Sequence, residues 1–175
     1  METQIEKFRV IAEELKAMYK ADQQMRHCYL SNQDHQVWDD SIDHLNTERL
    51  KQIIEKIGWP SISKVGNIGS LHAWLLVQHA DHDPNFQKKC LELMKAESEN
   101  EVDNTNIAFL EDRVAVSDGR PQIYGTQFYK NSDGQMQVRP IFDSENIERR
   151  RKEAGLETFE EYQKYILQTY GRNSA

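Results

Sequence analysis

The stretch Gln4–Leu30, QIEKFRVIAEELKAMYKADQQMRHCYL, decides the fold class. Ile5, Phe8, Ile11, Ala12, Leu15, Met18, Tyr19, Met25 and Tyr29 recur at steps of three and four, one apolar stripe on a long helix uninterrupted by Gly or Pro. A polar linker follows, Ser31-Asn32-Gln33-Asp34-His35-Gln36, and then Asp39, Asp40 or Ser41 can cap a second helix. Its stripe is Ile42, Leu45, Leu50, Ile53, Ile54 and Ile57, and Gly58 with Trp59-Pro60 ends it. Residues 61–69 read as a Gly/Ser-rich connection. A third helix, from about Ser70 to Ala80, is apolar nearly all round and is predicted to be the central buried helix. Asp83-Pro84 opens a fourth helix as N-cap and N1, and a fifth carries Ile107, Leu110 and Val114 beyond the acidic loop 97–103. At residue 122 the period changes to two. Residues 122–129, the turn Asn131-Ser132-Asp133-Gly134 and residues 135–139 predict a β-hairpin. Asp143 or Ser144 caps a short helix that ends at Gly155, and Thr158 opens the last one, so the C-terminal helices span about 144–170. The expected fold is mainly α: a single-domain bundle of six to seven helices with one small late hairpin.

Composition bounds the function classes. The chain has 175 residues, 22 Lys+Arg against 29 Asp+Glu, a net charge of −7 and 38% hydrophobic residues. This length and apolar content suit one core, and the acidic balance argues against coating nucleic acid or an anionic membrane. The longest apolar run, residues 73–77, is far short of the ~20 residues that span a bilayer. The acidic N-terminus has no signal-peptide core, and Cys28 and Cys90 form no CxxC pair, so a reduced, cytoplasmic protein is expected. The partners expected are a small molecule or a peptide, not nucleic acid or membrane.

The informative residues are polar ones that interrupt apolar patterns. Asp22 lies in the first stripe between Tyr19 and Met25, with Arg26 one turn on, where the two can pair. Asn46 lies between Ile42 and Leu50. Gln78-His79-Ala80-Asp81-His82-Asp83 closes the most apolar helix, with His79 one turn after Leu75 and facing the core or a pocket beside it. Such a histidine can act as general acid/base, and a nearby carboxylate can fix its tautomer. Asp112 and Arg113, adjacent in the fifth helix, diverge by about 100°, so they face different surroundings. In the first hairpin strand, Gly125 marks a close approach, Tyr124 and Thr126 share one face and Gln127 takes the other. The run 149–152 (Arg-Arg-Arg-Lys), interleaved with Glu, reads as a solvated helix face. No P-loop, GxGxxG, GxSxG or CxxC occurs, so no cofactor is expected. A divalent metal would have only His79, Asp81 and His82, joined by Asp112, as ligands, and their spacing matches no strong metal signature.

Taken in order, Asp22-Gln23-Gln24-Met25-Arg26, Gly58-Trp59-Pro60 with Val65-Gly66, Ala73 through Gln78-His79-Ala80-Asp81, and Leu110-Glu111-Asp112-Arg113 with Gln122 through Tyr124-Gly125-Thr126-Gln127 resemble an uncharacterised family of bacterial proteins, a domain of unknown function. Pro140 to Gly155, with Arg150-Arg151, also fits. The resemblance carries no activity. It selects the same misfit residues, which are then expected to share a pocket.

Three functions follow. In the first, a cofactor-independent acid/base enzyme, hydrolase-like or proton-transferring, acts on a small anionic substrate. His79 is its acid/base, with Asp81 or Asp112 as catalytic partner. Asp22, Arg26, Asn46, Gln78, Arg113, Tyr124 and Gln127 bind the substrate. In the second, the same groups hold a ligand or peptide without turnover. In the third, they are a buried hydrogen-bond network that fixes helix packing.

Overall fold

The structure is a computed structural model that describes residues 3–30 and 39–171. The linker expected at 31–36 lies outside the described residues. Seven α-helices and a two-stranded sheet are described: α1 (Gln4–Leu30), α2 (Ser41–Ile57), α3 (Ile62–Gln78), α4 (Pro84–Ala96), α5 (Asn104–Ser117), β1 (Phe128–Lys130), β2 (Met136–Val138), α6 (Ile147–Glu153) and α7 (Phe159–Tyr170). The mainly α class with one late hairpin is as expected. The chain forms two compact units, residues 1–102 and 103–175.

In the first unit α1 packs most extensively on α3. Ile11, Leu15 and Met18 supply its buried face, and Leu50, Ile53 and Ile54 supply that of α2. Three local readings change. Residues 62–65 already make a helical turn, and the helix resumes beyond Gly66, whose φ of 75° and ψ of 166° break α3. The Gly/Ser-rich segment is therefore a kinked helix rather than a connection. Nor is α3 buried all round, since Ile68 is 63% exposed and Leu71 41% exposed. On α2 the inward face begins with Asp43, Asn46 and Thr47, while Leu45 is 69% exposed. The first turns of α2 are thus rotated relative to the apolar stripe. Capping explains other boundaries. The Asp83 carboxylate accepts from Phe86 N at 3.0 Å and Pro84 opens α4.

In the second unit Leu110, Val114 and Ala115 of α5 are buried, as are Ile147, Tyr162 and Ile166. The hairpin is shorter than expected. Phe128 pairs with Val138, Tyr129 with Gln137 and Lys130 with Met136, antiparallel. Asn131 closes the turn by accepting from Asp133 N and Gln135 N on Oδ1. Residues 122–127 are a loop, whose backbone pairing with the chain after β2 includes a bridge between Gln122 and Ile141. Thr158 and Glu161 form a capping box at the start of α7.

Candidate functional site

Positions Ile11, Leu15, Met18 and Asp22 continue one buried face of α1 at helical spacing, so the Asp22 carboxylate lies fully buried near its C-terminal third. A buried carboxylate must be matched by donors. Its Oδ1 lies 3.1 Å from Arg26 Nε and 2.7 Å from His79 Nδ1, and its Oδ2 accepts from Gln23 Nε2 at 2.7 Å. Arg26 Nε is also 3.0 Å from His79 Nδ1, and Arg26 Nη2 donates to Asp43 Oδ1 at 2.7 Å. Three elements build this cluster: α1 supplies Asp22 and Arg26, the first turn of α2 supplies Asp43, and His79 is the residue that ends α3. Burial pushes the Asp22 carboxyl up, but the His79 and Gln23 hydrogen bonds and the Arg26 charge outweigh it and hold it below the ordinary aspartate value. Burial dominates at Asp43, whose carboxyl is raised even beside Arg26. The side chain of His79 is 22% exposed, and no described residue bonds its Nε2.

Asp22, Asp43 and His79 place three potential ligand atoms within 4.8 Å of one another. In this arrangement the Arg26 guanidinium bridges both carboxylates and the imidazole, so a cation held by the three would have to displace it. A contact of 2.7 Å between Asp22 and His79 is a hydrogen bond, tighter than two ligands spread around one ion. Among the described residues, no such ligand group includes Asp81 or His82.

The other flagged residues of the first unit do different things. Asp81 is exposed and accepts from Gln87 Nε2 at 3.1 Å, and Gln87 also donates to Val77 O, tying the end of α3 to α4. His82 is exposed and its ring lies over that of His44 at 3.8 Å. Gln78 is buried. Asn46 is buried, and its Nδ2 has no hydrogen-bond partner among the described residues. The carboxylate that meets His79 is Asp22, rather than Asp81 as the order of residues along the chain suggests.

In the second unit Asp112 is fully buried and its oxygens are consumed by the loop 122–127. Oδ1 accepts from Ile123 N at 2.6 Å and Tyr124 N at 3.0 Å, and Oδ2 from Thr126 N and Thr126 Oγ1, both at 2.9 Å. Burial pushes this carboxyl up, and those donors pull it back only in part. The carbonyls of the same loop face guanidinium groups. Arg150 Nε donates to Ile123 O at 2.9 Å, and Arg151 Nη1 to Tyr124 O at 2.6 Å. Arg151, fully buried, stacks on Phe159 and Tyr162 and donates Nε to Glu157 O. The run 149–152 is therefore not a solvated face throughout: two of its arginines clamp the loop. A Cβ on Gly125, whose φ is 75°, would lie 2.7 Å from the Phe159 ring. The close approach expected at Gly125 exists, but its cause is packing against α7. With no strand at 122–127, the alternation of faces expected for Tyr124, Thr126 and Gln127 does not apply. Gln127 Nε2 donates to Thr126 Oγ1 at 3.0 Å. The Tyr124 hydroxyl, 3.4 Å from Glu111, is pushed up to about 12 by burial and then by that carboxylate. Arg113 is half-buried.

Thus Asp22, Arg26 and His79 are brought together within the first unit, and Asp112, Tyr124 and Gln127 are brought together within the second. Asp43 escaped sequence reasoning, whereas Gln122 and Arg151 stood within the stretches that carry the resemblance, with no functional role assigned. Asp43 left a signal in its helical spacing to Asn46 and Leu50. Gln122, whose amide bonds the Gln127 and Arg139 carbonyls and Gln127 N, left none.

The model of a family of unknown function (DUF6624) matches residues 10–174. The chain belongs to that family. The match runs through both units, from α1 to the end of α7. No curated protein and no solved structure matches the chain.

Proposed function

We propose that this DUF6624 protein is an acid/base enzyme in which His79 is the general base, Asp22 orients it, and a small anionic molecule is the substrate. The supporting observation is the 2.7 Å contact between buried Asp22 Oδ1 and His79 Nδ1, which leaves Nε2 as the ring nitrogen open to a reactant. With the imidazole neutral, two carboxyl groups face the Arg26 guanidinium, and the nearby Asp22 carboxylate favours a proton accepted at Nε2. Proton abstraction beside a carbonyl, or activation of water for hydrolysis, uses such a base. The expected setting is the cytoplasm, which suits an acidic chain whose two cysteines stand far apart in sequence.

Turnover of a panel of small carboxylate-bearing esters, amides and keto acids tests this reading. A substrate turned over by the wild type should lose roughly 10²–10⁴-fold in rate with His79→Ala, with a smaller loss for Asp22→Asn. Equal turnover by His79→Ala, checked for fold by circular dichroism, would overturn the assignment. A panel member that raises the melting temperature in a His79-dependent way, yet yields no product, would favour ligand binding without turnover.

A further inference from the structure

The atom of His79 that faces the protein is contested. Nδ1 lies 2.7 Å from Asp22 Oδ1, which can only accept, and 3.0 Å from Arg26 Nε, which can only donate. Oδ1 needs a proton on Nδ1, whereas Nε–H needs the lone pair there. One ring nitrogen cannot satisfy both at once. Arg26 is kept at this position from its far side, where Nη2 binds Asp43 Oδ1 at 2.7 Å. Its Nε–H has an alternative acceptor in Asp22 Oδ1 at 3.1 Å, so that donor is satisfied in both arrangements, while an unprotonated Nδ1 requires Oδ1 to draw back from its 2.7 Å contact and rely on Arg26 Nε–H.

We propose that Arg26, held by Asp43, is a positioning residue that lets neutral His79 adopt both tautomers. This rests on the reading of His79 as the acid/base. When Nδ1–H donates to Asp22, Nε2 presents a lone pair and can take a proton from substrate or water. When Nδ1 accepts from Arg26, Nε2 carries the hydrogen and can donate a hydrogen bond to a carbonyl oxygen, stabilising the negative charge that develops there. The two forms contain the same number of protons, so exchange between them only moves the ring hydrogen between nitrogens through solvent. The substrate class that uses both forms is a carbonyl compound, whose oxygen needs a donor and whose adjacent carbon or attacking water needs a base.

The test needs no substrate. Imidazole nitrogen shifts are recorded on the full chain with ¹⁵N-labelled histidine, at a pH where the ring is neutral, and His79 is assigned by the signal missing in His79→Gln. In the wild type, the Nδ1 shift is expected between the values for a protonated and an unprotonated nitrogen. Arg26→Leu should move it toward the protonated value, and Asp22→Asn toward the unprotonated one. Arg26→Lys, which keeps the charge but lacks Nε–H, should follow Arg26→Leu and serves if the leucine variant does not fold. A wild-type shift already at one extreme, or an Nδ1 shift unmoved by losing Nε–H, overturns the proposal. Either result leaves the turnover assay of His79→Ala to judge the acid/base reading separately.

Discussion

Asp22 concentrates the electrostatics of the first unit in one buried carboxylate. Its folded value lies below the ordinary aspartate value, so ionised Asp22 favours the folded state. That contribution is fully present above the unfolded value of about 3.9 and is lost as pH falls through the folded one. Asp22→Asn removes it while keeping the shape. The variant should be less stable by about 1–3 kcal/mol at pH 7, the cost of leaving buried partners unsatisfied. The gap should close as pH falls below about 3.9. Urea unfolding read by tryptophan fluorescence at several pH values checks this; a gap that stays constant down to about pH 3 would remove Asp22 from the network. Asp43 has the opposite sign, because burial raises its carboxyl. Its ionisation weakens the fold as pH rises through that raised value, so the two carboxylates, though bridged by one arginine, are separable by titration.

At the level of elements, α2 shows what apolar periodicity misses. Leu45 is 69% exposed while Asn46 is buried, its Nδ2 without a hydrogen-bond partner among the described residues. Leu45→Lys should therefore leave stability within about 0.5 kcal/mol. Asn46→Leu, similar in volume, should be neutral or stabilising by up to about 1 kcal/mol, because it removes an unsatisfied buried donor. Loss of more than about 1 kcal/mol in Asn46→Leu would show that the amide has a partner. Thermal melts of both variants decide. The stripe of α1 is legible because its apolar spacing is regular, and Asp22 stands out as a carboxylate within it. The pairing with Arg26 one turn on follows from the same spacing. Asp43 is hidden because Ile42 and Leu45 draw an apolar stripe one position away from the face that packs. The loop 122–127 misleads for another reason. Its alternating residues look like a strand, yet its N–H groups bond a carboxylate ten or more positions earlier, and no local period encodes that. Arg150 and Arg151 sit among glutamates and read as surface, while their guanidinium groups actually satisfy loop carbonyls and, for Arg151, stack on rings.

For the whole molecule, the family match spans residues 10–174 and hence both compact units, although the His79 cluster lies entirely in the first. The second unit has its own polar framework, in which one carboxylate gathers loop N–H groups and two arginines gather loop carbonyls. Every atom of that framework belongs to residues 103–175, so its failure should register first in that unit. Trp59 and Trp74 belong to the first unit, whereas five of the seven tyrosines, beginning with Tyr124, belong to the second. Tryptophan fluorescence therefore addresses the first unit, and tyrosine ellipticity is weighted toward the second. Gly125→Ala places a methyl 2.7 Å from the Phe159 ring at a left-handed φ and should destabilise the second unit by about 1–3 kcal/mol. In urea, the transition followed by near-ultraviolet tyrosine ellipticity should move to lower concentration, while the tryptophan-fluorescence transition stays at its wild-type midpoint. If both transitions instead remain coincident and move together, the two units unfold as one cooperative body. In that case the Asp112–Arg151 framework would support the His79 cluster energetically, and Gly125→Ala would also shift the melting temperature of any substrate complex formed there.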